Sequence, residues 1–276
     1  MDNFQFDQAE GLRRLLGEPR QRIYTFLSTL PHRNKNHVLF NLAASLSRSG
    51  SAVMLLDATC SREGVGFYQP QEYASATLAQ VARNEYAVDD AFYHVPQGFD
   101  VVRMADSAGE IGKKRSFRNW LDLSFESAAV DADVVLIDSL LDKENGFSLT
   151  AMESSSLILL IEDTERSIKD AYMLIKRMAG HFGRMPFGVL VSGSGENRSQ
   201  AVFRNMAQTA AHYLGVQLYS MGYVPKDDHM ARAASLGRSV VDAFPMALSS
   251  FAFRRIAGAF SDIGPSQQNV YEMAGA

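Results

Sequence analysis

Val134-Val135-Leu136-Ile137-Asp138 is an unbroken apolar run closed by an aspartate, and Val53-Met54-Leu55-Leu56-Asp57 repeats the pattern. A strand with one wet face alternates apolar and polar residues. A run with no alternation is buried on both faces, the signature of a parallel sheet covered by helices on either side. Outward from these two runs the spacing predicts further strands over Ile23–Ser28, Phe99–Met104, Ser156–Ile161, Phe187–Ser192 and Leu218–Val224, with the second run beginning at Ala52. Between them the apolar spacing predicts helices over Lys35–Ser49, Thr77–Asn84, Arg115–Ala129, Thr164–Ala179, Ser199–Leu214 and Asp228–Leu236, and a last one over Met246–Ile263. This is an α/β fold: one doubly wound, mostly parallel sheet with helices on both faces. A short helix, Asp7–Leu16, precedes it, capped by Asp7 and stopped by Gly17 and Pro19.

The 276 residues, 46% hydrophobic and 21% charged, place the chain in the ordinary globular class. A formal net charge of −4 gives no global pull toward nucleic acid or anionic lipid. The single cysteine, Cys60, excludes an internal disulfide and a cysteine-built metal site, and fits a reducing compartment. The first residues lack a cationic region followed by an apolar run, and no apolar stretch is long enough to span a bilayer. A cytoplasmic location is the expectation.

Ligands of doubly wound sheets bind at the carboxyl ends of the strands. Asp57 and Asp138 stand at two such ends, where carboxylates either hold a metal and orient water in phosphate chemistry or merely cap the next turn. The first strand-to-helix loop, Ser28-Thr29-Leu30-Pro31-His32-Arg33-Asn34-Lys35-Asn36, stands where a phosphate-binding loop would stand. Such a loop needs glycines that turn successive amides inward, then a lysine and a hydroxyl residue for magnesium. This one has no glycine, loses a donor at Pro31, and follows Lys35 with Asn36.

The chain resembles the MinD/ParA-type deviant Walker ATPases, and within them the flagellar number regulators of FlhG (FleN) type. Asp7-Gln8-Ala9-Glu10-Gly11-Leu12-Arg13-Arg14-Leu15 resembles that group's amino-terminal DQAxxLR motif. Asn41-Leu42-Ala43, Leu55-Leu56-Asp57-Ala58, the stretch from Thr77-Leu78 to Asp90-Ala91, Val134–Asp138, Asp170–Lys176 and Gly222–Asp227 resemble further family segments. The resemblance implies a P-loop ATPase-type domain over residues 21–264, an effector helix and linker over 1–20, and a polar tail over 265–276. It also implies contact of Asp7, Gln8, Ala9, Leu12 and Arg13 with an FlhF-type signal-recognition GTPase, and a role with flagellar assembly proteins.

The departures bear on activity. Family lysine, hydroxyl, second aspartate and base-contacting asparagine correspond here to Leu30, Asn36, Thr59 and Ser192, and Ser139-Leu140-Leu141-Asp142 follows the aspartate strand in place of Thr-Gly-Ala-Gly. Lys35, Asn36, Asp57 and Asp138 are thus residual positions of a nucleotide site, no catalytic residue or metal ligand is assigned, and no cofactor is expected. The chain reads as a non-hydrolysing regulator of flagellar placement or number. The alternative is a weak ATPase using Lys35, Asp57, Asp138 and Mg-ATP, with a nucleotide-driven dimer switch. A homodimer is compatible with either; nucleic acid is not an expected partner, and membrane contact is at most weak.

Smaller signals read as structure. Lys113, Lys114, Arg115 and Arg118 form a basic helix start, with Trp120 expected in the core. Leu248, Phe251, Phe253, Ile256, Phe260 and Ile263 form a stripe expected to pack inward. Ser192-Gly193-Ser194-Gly195 reads as an ordinary loop, with an anion nest as the lesser alternative. His32 and His37 bracket the first loop without a nearby carboxylate in sequence.

Overall fold

The computed structural model describes residues 21–68, 75–111, 115–141 and 146–262. The effector motif from Asp7 to Arg13, Lys113 and Lys114, Asp142, Ile263 and the 265–276 tail lie outside the described residues.

The chain runs β1 (Arg22–Ser28), α1 (His32–Arg48), β2 (Val53–Asp57), α2 (Leu78–Ala82), β3 (Tyr93–His94), β4 (Asp100–Arg103), α3 (Arg115–Ala129), β5 (Val134–Asp138) and α4 (Thr150–Glu153). It continues β6 (Ser156–Glu162), α5 (Glu165–Phe182), β7 (Phe187–Ser192), α6 (Glu196–Leu214), β8 (Leu218–Val224), α7 (Asp228–Ser235), α8 (Val240–Ala243) and α9 (Leu248–Asp262). One sheet holds all eight strands in the order β3-β4-β2-β5-β1-β6-β7-β8. Every pairing is parallel except β3 with β4. All seven expected strands form. The missed one, β3, has two residues and carries no periodic signal.

The apolar runs split by register between two cores. Tyr24, Phe26, Val53, Leu55, Val134 and Leu136 pack with α1 and α9 on one face. Leu27, Met54, Leu56, Val135 and Ile137 pack with α3 and α5 on the other. Alternate side chains of a strand point to opposite faces, so a run buried on both sides feeds both cores.

Two sequence expectations are overturned here. Trp120 is 55% exposed on α3, because Leu121, Ser124, Phe125, Ala128 and Ala129 take the inward face of that helix. On α9, Phe253, Ile256 and Phe260 are buried, but Leu248 and Phe251 point out at 69% and 49% exposure. Residues 248 and 251 lie one turn apart on the outer side, where Arg254 covers the Phe251 ring at 4.6 Å.

Buried polar residues pin the carboxyl-terminal helices to α1. Asn41, fully enclosed in α1, donates to the His37 carbonyl at 2.7 Å and accepts from the first amide of α8, Val240, at 2.6 Å. Asp227 caps α7 by accepting from the His229 amide and ring, and ties α9 through the Ser249 amide and hydroxyl. Its burial opposes ionisation, but the four donors outweigh it and hold the carboxyl down at about 2 against an ordinary 3.8. A depressed carboxyl stabilises the fold fully above its unfolded value and loses that contribution as pH falls toward the folded one. Asp227→Asn is therefore expected to lower stability by about 2 kcal/mol at pH 7, with the deficit vanishing between pH 4 and 2. Denaturant unfolding across that range measures it. A deficit that persists at pH 2 would mean the shape of the side chain matters and its charge does not.

Candidate functional site

Asp57 and Asp138 face each other in register at the carboxyl ends of neighbouring strands β2 and β5. Strand β1 lies on the other side of β5, and α1, leaving β1, brings Lys35 and Asn36 over the same strand ends. All four residual positions thus come together, and all are buried: Lys35 is 3% exposed, Asn36 7%, Asp57 2% and Asp138 0%.

Lys35 Nζ sits 2.6 Å from Asp138 Oδ2. That oxygen also accepts from the Val65 amide at 3.1 Å. Asp57 Oδ2 accepts from the Gly66 amide at 2.9 Å, and its Oδ1 from the Thr59 amide at 3.0 Å and hydroxyl at 2.6 Å. Asn36 donates to the Glu63 and Gly64 carbonyls at 3.1 and 3.2 Å. The segment Ser61–Tyr68, with a 3-10 turn over Val65–Phe67, therefore closes over the strand ends, donating to one oxygen of Asp138 and one of Asp57 and accepting from the Asn36 amide.

Two glycines make that closure sterically feasible. A Cβ on Gly64 would lie 2.1 Å from Asp57 Oδ2 and 2.3 Å from Thr59 Oγ1. A Cβ on Gly66 would lie 2.7 Å from Arg103 Cγ and 2.9 Å from Asp57 Oδ2. Both are contact distances no side chain tolerates without displacing the loop.

Electrostatically, the one ammonium of the cluster pairs with Asp138, and the Asp57 carboxylate lies close enough to bear on it. Asp138 is pushed up to about 6, chiefly by burial; Lys35 opposes the shift, and the Asp57 charge adds to it. Its Oδ1 is enclosed and accepts no hydrogen bond. Cys60, just beyond β2, is driven to about 12 by burial and by the Asp57 and Glu110 charges. Against an ordinary 9.0 this cuts its thiolate fraction at pH 8 on the order of a thousandfold. Aromatic-disulfide titration of the native chain is expected to label Cys60 that much more slowly than in the unfolded chain. Comparable rates would mean the loop opens readily.

The strand-to-helix loop departs from the sequence expectation. The helix begins at His32, with Pro31 as its N-cap and Lys35 in its first turn, not at Lys35. Leu30, buried in the core, and the Leu30 amide on Ser28 Oγ at 3.1 Å anchor the short connection. The exposed face of this turn is tied on both flanks: Asn34 donates to Glu162 at 2.8 Å, and His32 pairs with Glu63 at 2.9 Å. The carboxylate missing near His32 in sequence thus arrives through space. Among the described residues no group of three or more His, Cys, Asp or Glu is disposed to hold a metal ion.

The remaining motifs fall outside this cluster. In the Ser192–Gly195 loop, the Gly193 amide is spent on the Val224 carbonyl and Ser194 Oγ bonds Ser199 Oγ, which matches the ordinary-loop reading. Arg115 is exposed, and Arg118 donates to the Phe147 carbonyl. Sequence reasoning missed Gly64, Val65 and Gly66. Their signal in the sequence is the Gly-Val-Gly spacing that follows Asp57 by seven residues.

The antiactivator FleN of Pseudomonas aeruginosa is 26% identical over 225 residues, which cover 81% of this chain and 80% of that protein. MinD, the septum site-determining protein of Pyrococcus horikoshii, solved with Mg-ADP, superposes with a TM-score of 0.67 at 18% identity. The match covers 88% of this chain and 97% of that one. A ParA family ATPase from Chlorobium tepidum superposes at 0.66 and 16% identity, over 86% and 98%. No protein-family model matches. The fold is that of the MinD/ParA-type P-loop ATPases, and the resemblance read from the sequence holds across most of the chain. No helix among the described residues is long and apolar enough to cross a membrane.

Proposed function

We infer that this chain, a MinD/ParA-type scaffold with FleN among its sequence relatives, is a non-hydrolysing regulator of flagellar assembly. It acts by binding an FlhF-type GTPase through Asp7, Gln8, Ala9, Leu12 and Arg13, with no bound nucleotide required. The observation that carries the first half is the closed cluster. A magnesium nucleotide needs an amide cradle, a free lysine and a hydroxyl on the metal. Here residues 32–36 are helical, Lys35 is committed to Asp138, and Asn36 is committed to two backbone carbonyls. The amides of Val65 and Gly66 occupy the carboxylate lone pairs a metal's water shell would use. The donor set does not fit the Mg-nucleotide of the fold's active members, and no step is derived through it.

The second half rests on the amino-terminal motif and the FleN similarity. An arginine or glutamine offered in trans organises hydrolysis in other GTPases, and Gln8 and Arg13 are the residues of the motif with that chemistry.

Calorimetry of the purified chain with ATP or ADP and magnesium is expected to give no heat at millimolar nucleotide. Micromolar binding abolished by Lys35→Ala would overturn the reading and install the nucleotide-switched ATPase. Separately, the native chain is expected to stimulate the partner's GTP hydrolysis, and a Gln8→Ala/Arg13→Ala variant to lose that stimulation. Unchanged stimulation would remove the proposed role of this motif.

A further inference from the structure

The sheet ends at β8, which among the described residues pairs with β7 alone. The Gln217 carbonyl accepts from the Phe187 amide of β7, and the Val224 carbonyl from the Gly193 amide just past it. Main-chain groups alternate in direction along a strand, so those of Leu218, Ser220 and Tyr223 point away from β7. Met221 is the extra residue of a bulge between the two halves, with Gly222 at a φ of +103°. Among the described residues no other strand takes up the outward groups. Apart from that bulge, the strand lacks the devices that blunt a free edge: Leu-Tyr-Ser-Met-Gly-Tyr-Val holds neither charge nor proline.

This edge forms the floor of a cleft of about 450 Å³. Ser220, Gly222 and Tyr223 line its base, Glu196 and Gln200 of α6 one wall, and Arg255 of α9 the other. The two helices stand on opposite faces of the sheet, for Val202 and Met206 belong to one core and Phe253 and Ile256 to the other. A slot walled on both faces admits a single extended strand. The flank of a second sheet, with helices of its own, meets the walls first.

Arg255 gives the slot its chemistry. Its guanidinium sits over the Tyr223 ring at 4.6 Å, and Glu196 Oε1 stays 3.9 Å away, beyond hydrogen-bond distance. Its donors are therefore open to a carboxylate. Phe251 and Leu248, both exposed, precede Arg255 by four and seven residues and share its face of α9. Arg255 and Phe251 are about 6 Å apart along the helix. Alternate side chains of an extended strand are about 6.6 Å apart, a close match.

We propose that the β8 edge is a docking site for an extended segment of a partner protein, which adds a strand to the sheet. The segment carries an acidic residue that meets Arg255 and, two positions away, a large apolar residue that meets Phe251. Main-chain bonds at Leu218, Ser220 and Tyr223 supply the affinity, and the two side chains supply the selectivity. The inference uses no residue of the proposed GTPase-binding motif, so either can fail alone.

The test is amide NMR of the full chain, titrated with a short capped peptide of threonines that carries a glutamate and, two positions on, a leucine. The amides of Leu218, Ser220 and Tyr223 are expected to shift and to gain protection from exchange. Two further peptides are N-methylated, each at one set of alternate amides. The form methylated on the side facing β8 is expected to lose binding, and the other to keep it. Arg255→Glu, at a half-exposed position, is expected to weaken binding about tenfold with unchanged thermal unfolding. Millimolar peptide that leaves the three amides unmoved overturns the proposal, as does equal behaviour of the two methylated forms. Protection that rises with protein concentration in the absence of peptide gives the edge to a second copy of the chain. Protection lost on removing residues 265–276 gives it to the chain's own tail. Either result also overturns the proposal.

Discussion

Lys35→Met is expected to lower the unfolding free energy at pH 7 by about 3–5 kcal/mol, because it strands a fully enclosed carboxylate without its counter-ion. For a chain of this size that is a fall of roughly 10 °C in Tm. The deficit has a pH signature. Asp138 already titrates at about 6, mainly through burial, and removing the ammonium that opposes the shift raises it further. The variant then takes up its proton on folding at a higher pH than the native chain, so its deficit shrinks as pH falls toward about 6 and changes little below it. Adding Asp138→Leu to Lys35→Met removes the stranded charge, and is expected to recover more than half of the loss. Denaturant unfolding of the three chains at pH 7 and pH 5 checks all of this. A Lys35→Met chain within about 1 kcal/mol of native at pH 7 would mean the pair is open to water in solution.

Gly64→Ala is expected to cost a comparable amount, about 3 kcal/mol, by a different route. The new methyl has Asp57 and Thr59 oxygens at 2.1 and 2.3 Å, and these atoms are themselves held by hydrogen bonds, so the loop moves instead. When it moves, the Val65 and Gly66 amides leave Asp138 and Asp57. Hydrogen bonds to charged groups are worth about 1.5–3 kcal/mol each, and two are at risk. Hydrogen exchange should show protection lost at amides 65 and 66 first, while β2 and β5 stay protected. Gly50→Ala, at a glycine with open space around its Cβ position, marks the cost of backbone conformation alone at a φ of +95°. If Gly64→Ala is no worse than that, the loop is not wedged against the carboxylates.

The framework was legible because the information is local. Val53–Asp57 and Val134–Asp138 announce two-sided burial by the absence of alternation, and the aspartates that end them mark the rim. That Lys35, Asn36, Asp57 and Asp138 would meet followed from strand-to-helix order and the switch of direction around β1. Two features were not local. Trp120 was expected inside because large aromatics usually are, yet the small residues Ser124, Ala128 and Ala129 had already claimed the inner face. The closure of residues 61–68 over the carboxylates depends on contacts 73 residues apart in the chain, and no periodicity encodes them. The early helix start at His32 was hidden for a related reason. Pro31 and Asn34 are poor helix formers, and it is Glu162 and Glu63, distant in sequence, that hold the turn in place.

That early start also constrains history. On the proposed reading, an Asn36→Thr exchange restores one letter of the phosphate motif without restoring its shape, since residue 36 lies inside a helix and faces Gly64, not solvent. A return would require Pro31, His32, Arg33 and Asn34 to become an open turn while Glu63 and Gly64 give up their partners. The changes at His32 and Asn34 break contacts to Glu63 and Glu162 before any ligand could reward them. The first turn of α1 thus works as a one-way latch on descent: once wound, the lineage is free to elaborate its surfaces but not to step back, residue by residue, to the chemistry of its relatives.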